Sequence, residues 1–277
     1  MTVSIITDSA AALPPELVRE RGIAVVPMWL TIDGEPVLES AISLHEVLTH
    51  NHVTTSGPTP GEFEAAVKEQ QRSTDDGVLV LTIASSMSGT YESAVIGASA
   101  AGGPVDVIDT KTAAGAQALV VLAAADAAAR GASLAQVAGV ARAAIGEVRL
   151  IAMVPSLDAL VRGGRVPNVA GWAGRHLGLV PLFEFRDGRA HGRRPARGVD
   201  AALDRIVARY RRDRAVGARL HVAALHADAE EQAQKLLARV CAEVEPATAF
   251  VGTFGTVMAV HTGPGLVGLA WRWELPS

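Results

Sequence analysis

Three short, continuously apolar runs constrain this chain more than any other feature. Residues 3–7, 78–83 and 105–108 are each too short for a stable helix, and each passes into polar residues and then a helix-forming segment. Apolar runs of this length, bounded by turn signals, read as strands buried on both faces. Separated by helices, they predict a parallel sheet covered on both sides. Ligands bind beyond the carboxyl ends of the strands in such sheets. Here those ends carry hydroxyls: Thr7 and Ser9, then Ser85, Ser86 and Ser88, then Thr110.

Helix signals fill the intervals. Pro14 and Pro15 suit the first turn of a helix over 14–21. Ser43 with Glu46, Thr59 with Glu62, and Ser133 with Gln136 have capping-box spacing, and Pro60 follows Thr59 at a first helical position. Residues 23–32 read as a strand. From about Arg149 the pattern changes. A strand over 149–154 leads to a short helix and the turn Gly163-Gly164-Arg165. Residues 182–185 and 190–194, joined by Asp187-Gly188, predict a hairpin. A basic helix over 199–212 and strands over 219–225 and 266–275 follow. The expected fold class is α/β in two closely packed domains. Residues 1–150 form an N-terminal parallel-sheet α/β domain and residues 151–277 a C-terminal α+β domain.

Composition removes several function classes. A formal net charge of −4 and 4% aromatic residues offer neither general attraction to nucleic acid nor a stacking platform for bases. The single cysteine, Cys241, cannot form an internal disulfide, reads as buried helix filler and fits a reducing, cytoplasmic setting. The most apolar helical stretch, ALVVLAAADAAA, is interrupted by Asp126 and falls short of the ~20 apolar residues of a membrane span. The opening MTVSIITDS lacks the basic and apolar regions of a signal peptide. A lipid handled by such a chain must be shielded inside it.

The loops at 54–61 (TTSGPTPG) and 85–90 (SSMSGT) present small side chains and backbone N–H groups near a helix start. That arrangement binds an anion, or simply caps a helix. His261, before Thr-Gly-Pro-Gly, could donate to an anion, act as a base, or be a satisfied turn residue. Ser88 and His261 together admit a serine-dependent acyl ester hydrolase, although the G-x-S-x-G elbow is missing. Neither a Walker loop nor a dinucleotide-binding glycine pattern is present. The acids lack calcium-loop spacing, and His45, His50 and His52 lack a paired ligand motif, so no metal or cofactor is expected. Arginines 193, 194, 197, 205, 209, 211 and 212 are interleaved with Asp200, Asp204 and Asp213. They read as a solvated helix with ion pairs, or as a partner-docking face.

Taken in order, six motifs resemble the DegV family over almost the whole chain. ITDSAAALP is similar to its D-S-T-A-D-L-P opening, TTSGPTPGEF to its T-S-Q-P-S-P loop, and SSMSGTYESA to its S-G-T-Y motif. VIDTKTAAGA, LVRGGRV and HTGPGLVGLAW match three more. The resemblance implies a carrier, not an enzyme, with a long-chain fatty acid between its domains. It implies a carboxylate held by Thr55, Ser56, Ser86 or Ser88, and His261. It also implies presentation of the acid to an ATP-binding fatty acid kinase subunit that makes an acyl phosphate, with Arg165 taking part, and it leaves room for transient membrane contact. Carriage of another amphipathic anion is the alternative of the same class. Gly57 and Ala10 depart from the usual Gln and Thr of the family, which bears on pocket shape.

Overall fold

The sequence distributes its strands among three sheets. The structure, a computed structural model, describes residues 3–50, 52–74, 76–164 and 178–275. Its first part runs β1 (Ser4–Asp8), α1 (Pro15–Glu20), β2 (Ala24–Val26), β3 (Trp29–Ile32), β4 (Glu35–Leu38), α2 (Leu44–Val47) and β5 (Val53–Ser56). It continues with α3 (Pro60–Gln71), β6 (Val78–Thr82), α4 (Thr90–Ala101), β7 (Val105–Asp109), α5 (Ala114–Ala129) and α6 (Leu134–Glu147). The apolar runs form the parallel sheet expected of them, in the order β2-β1-β6-β7. A small antiparallel sheet, β4-β3-β5, stands beside it.

The second part comprises β8 (Arg149–Met153), α7 (Asp158–Gly163), β9 (Leu179–Arg186), β10 (Arg189–Arg197) and α8 (Val199–Arg212). It closes with β11 (Arg219–His226), α9 (Glu230–Cys241), β12 (Thr248–Thr253), α10 (Thr256–Thr262) and β13 (Val267–Glu274). Its strands build a six-stranded sheet, β10-β9-β8-β13-β11-β12, antiparallel except for the β11–β12 pair. The fold is therefore mixed α/β, with a parallel sheet in the N-terminal part and a separate sheet-rich C-terminal part.

Helix α5 explains how the two parts meet. Nearly every residue in it is buried, because it packs on β1 and β6 of one sheet and on β11 and β13 of the other. A helix apolar all round belongs in an interior, and alanines let both sheets approach it. At Gly115 the approach is closest: a Cβ there would lie 2.8 Å from Leu225. Asp126, the charge in this otherwise apolar helix, pairs with Arg21.

Three sequence expectations change. Residues 23–32 form two strands in different sheets, because Pro27 lacks a donor and interrupts the ladder. Beyond it the Met28 N–H turns to the Ser9 hydroxyl at 3.0 Å. The 54–61 stretch begins as strand, with Thr54 and Thr55 paired to Thr31 and Leu30. Cys241 closes α9 half-buried rather than in the core.

Candidate functional site

Three chain segments converge where the two parts face each other. Strand β5 delivers Thr55 and Ser56, then stops at Gly57-Pro58 as α3 opens under the full Thr59–Glu62 capping box. Strand β6 delivers the loop holding Ser85 to Ser88 before α4. Helix α10 carries His261 in its last turn and ends at Gly263, whose φ of +77° suits a residue without a Cβ.

The loop after β6 is fixed from below by Asp8. This carboxylate is fully buried and accepts from the Ile83 N–H at 2.7 Å, the Ala10 N–H at 3.0 Å and Gln117 Nε2 at 3.2 Å. Burial pushes its pKa up to about 6, against the lowering effect of those hydrogen bonds. Glu39 fixes α10 in a similar way. Its carboxylate receives hydrogen bonds from Ser9, Met28 and Val257, and burial raises its pKa. The Thr256 hydroxyl donates to the Glu39 and Ile42 carbonyls at 3.1 and 3.0 Å. Sequence reasoning missed both acids. The available signal was an Asp closing an apolar strand, where an unpaired charge would be costly.

Among the predicted site residues, Thr55 and His261 touch: Thr55 Oγ1 lies 2.7 Å from His261 Nε2 across 206 positions of sequence. Thr55, Ser56, Ser88 and His261 line one cavity of about 610 Å³, its open mouth included. Ser86 does not line it. Its hydroxyl donates to the Gly188 carbonyl in the β9–β10 turn, whose N–H donates to Lys111 O at 2.9 Å. Three other strand-end hydroxyls are also spent internally. Thr7 donates to Leu81 O, Thr110 to Thr82 O, and Ser85 to Asp109. Arg165 lies outside the described residues. His50 bonds Asp33 at the surface at 2.9 Å, and no cluster of three or more metal-ligating side chains occurs among the described residues.

Ser88 Oγ pairs with Thr90 Oγ1 at 2.8 Å, while His261 Nε2 faces Thr55. No lysine or arginine lines this cavity among the described residues. An anion held there would rest on hydroxyls and an imidazole.

Most of the rest of this cavity's wall is apolar, from Met28, Ile83, Met87, Leu160, Val257 and Met258, and beside it lies a second, wholly apolar cavity of about 470 Å³. Its walls come from both parts: Ala113 and Ala114 at the start of α5, Phe183 and Phe185 of β9, and Leu225 and Leu266. Met87, Leu160, Met258 and Thr262 line both cavities. On the outer side, Thr55 and His261 also border an open groove of about 1180 Å³ with Val47, Val53, Val260 and Arg162. The groove, the cavity with the hydroxyls and imidazole, and the wholly apolar cavity thus stand in series.

The arginines near α8 are largely committed to partners. Arg209 bonds Glu184 at 2.9 Å and Asp213 at 2.5 Å, Arg193 also pairs with Glu184, and Arg211 bonds Glu243 at 2.6 Å. Among the described residues, no helix is long and apolar enough to cross a membrane.

A sequence profile described as an uncharacterised protein of the DegV family matches residues 2–274. The chain belongs to the DegV family. A DegV domain-containing protein of Mycobacterium tuberculosis is 35% identical over 276 residues, 97% of this chain and 96% of the relative. The fatty acid-binding protein of Thermotoga maritima is 30% identical over 278 residues, again 97% and 96%. A fatty acid-binding DegV family protein of Thermus thermophilus superposes with a TM-score of 0.90 at 29% identity, covering 99% of this chain and 100% of that one. DegV, a fatty acid binding protein from Bacillus subtilis, gives 0.87 at 28%, covering 99% and 100%. Fatty acid binding therefore recurs among DegV proteins similar to this one along their whole length.

Proposed function

We propose that this chain is a carrier of one long-chain fatty acid, held between an N-terminal domain of residues 1–150 and a C-terminal domain of residues 151–277. The carboxylate rests against Thr55, Ser56, Ser88 and His261, and the tail enters the apolar cavity behind them. One observation supports this above the rest: a largely apolar cavity that carries hydroxyls and an imidazole on its wall abuts a second, wholly apolar cavity of comparable size, with four residues in common. Burial is worth about 0.8 kcal/mol per methylene, so a tail of about fourteen contributes roughly 11 kcal/mol before association and ordering costs. A buried carboxylate without donors would take up a proton; the hydroxyls and the imidazole are there to meet it.

The outer groove supports presentation of the acid to a second protein, because the carboxylate site borders it through Thr55 and His261. In this reading that partner is an ATP-binding fatty acid kinase subunit, which supplies the nucleotide and metal chemistry, and Arg165 contributes to docking. The carrier itself has no catalytic role.

Native mass spectrometry of the purified protein, followed by extraction and identification of bound lipid, tests the reading. A stoichiometric C14–C18 acid is expected, with binding weakened more than about tenfold in Ser88→Ala/His261→Ala, as loss of hydrogen bonds to a charged group requires. A protein that stays empty when offered such acids overturns it.

A further inference from the structure

The junction between the two cavities contains two side chains unlike the rest of the wall. Four residues border both spaces: Met87, Leu160, Met258 and Thr262. Thr262 is tied back to the Met258 carbonyl at 3.2 Å, and Leu160 is buried in α7. The methionines are unbranched, with several rotatable bonds and a polarizable sulfur, and methionine serves where a surface must adapt to differently shaped partners. One comes from each part of the molecule, Met87 from the loop after β6 and Met258 from α10. Met28 lines the cavity of Thr55 and His261 as well, so three of the chain's five methionines border this path. The Met87 backbone is pinned by its N–H to Ala84 O at 2.9 Å, which leaves movement to the side chain.

We infer that Met87 and Met258 form an adaptable throat between head-group and tail cavities, and that their flexibility lets the protein accept both straight saturated and cis-kinked acyl chains. The inference rests on the fatty acid reading above and names the residues that set its acyl selectivity. A tail whose head lies against Thr55 and His261 must pass between these thioethers to reach Phe183 and Phe185. A kink near the throat needs sideways room that rotating methionines yield. A β-branched side chain, locked at χ1, does not yield it.

The test replaces both with isoleucine and compares C16 acids. Hexadecanoate and cis-9-hexadecenoate are titrated against wild type, Met87→Ile/Met258→Ile and Met87→Leu/Met258→Leu. In the isoleucine variant the affinity for the cis acid is expected to fall relative to the saturated acid by about tenfold, the scale of a one-methylene misfit in an apolar pocket. The leucine variant, not branched at Cβ, should recover much of the wild-type ratio. A peroxide footprint on unaltered protein keeps the test independent of variant folding. Either acid should protect Met87 and Met258 from sulfoxide formation, with buried Met153 as internal reference. An unchanged ratio in the isoleucine variant, or oxidation indifferent to bound acid, overturns the throat while leaving the carrier reading intact. A wild-type protein that binds neither acid overturns both.

Discussion

Gly163 faces the His261 imidazole so closely that a Cβ on the glycine would lie 2.9 Å from Nδ1 and 3.4 Å from the histidine Cβ. The glycine ends α7, and its bare Cα is what lets the ring stand toward Thr55.

Gly163→Ala should therefore separate stability from binding. Alanine is favoured over glycine in a helix by up to about 1 kcal/mol, so the backbone gains. The ring, however, must turn away from Thr55. Calorimetric titration should show fatty acid affinity reduced about tenfold, the worth of a hydrogen bond to a charged group. Wild-type affinity would mean that the ring orientation is immaterial to the ligand.

Gly57 bears on the other half of the proposed head-group site. A Cβ at this position would run into Thr90 Oγ1 and come within 3.2 Å of Ser88 Oγ. Thr90 is fully buried and bonds Ser88. Gly57→Ala should cost about 1–3 kcal/mol by overpacking and weaken ligand binding as Ser88 shifts. Denaturant melts and titrations measure the two effects separately.

Asp8 gives a pH signature. Its folded pKa, about 6, lies above the ordinary 3.8. The folded state therefore holds a proton that the unfolded chain releases, and this contribution is complete below about 3.8 and lost as pH rises through about 6. Lowering the pH from 7 to 5 should raise the stability of wild type relative to Asp8→Asn, by at most about 1.4 kcal/mol per pH unit. Glu39 lies close enough to add to the Asp8 shift and titrates in the same sense in both proteins. A difference independent of pH in urea melts would show that Asp8 stays ionised.

Glu184 should be the costliest charge to remove. Its side chain is 2% exposed on β9 and receives Arg193 and Arg209. Burial pushes its pKa up, but the two guanidinium groups outweigh this and hold it below the usual carboxylate range. Its contribution is thus present above the unfolded pKa and lost on acidification. Glu184→Gln leaves partly buried Arg209 with Asp213 and the face of Trp271, and should cost about 3 kcal/mol in denaturant melts.

The sequence was most legible where local chemistry and tertiary demand agree. The basic amphipathic helix falls at Val199–Arg212 as read, and Asp187-Gly188, with φ of +52° and +75°, makes the tight turn expected of that pair. Where tertiary pairing decides, the reading failed. Polar Thr54 and Thr55 are strand because Trp29–Ile32 lies alongside, and Pro27 sends the strands either side of it into different sheets. Thr55, Ser88 and His261 could be named from motif resemblance, since each lies within a segment that has its own sequence signature. The tail cavity could not be read this way. Most of its wall is ordinary Ala, Leu and Phe scattered from 113 to 266, indistinguishable locally from core. Ser86 shows the limit of reading by type: beside Ser88 in the chain, it serves the hairpin turn instead.

The distance along the chain between Thr55 and His261 also has a consequence for synthesis. Domains begin folding from the N-terminus as the chain emerges, at roughly 5–20 residues per second. The parallel sheet and its hydroxyl loops can form early, yet their imidazole partner is added 206 residues after Thr55, some 10–40 seconds later at about that rate. Throughout that interval the polypeptide has half of the proposed site and an uncovered apolar wall at the start of α5. If the proposed site is the one that takes cargo, loading follows only once translation has passed α10, and a nascent chain is kept from sequestering lipid while it is being made.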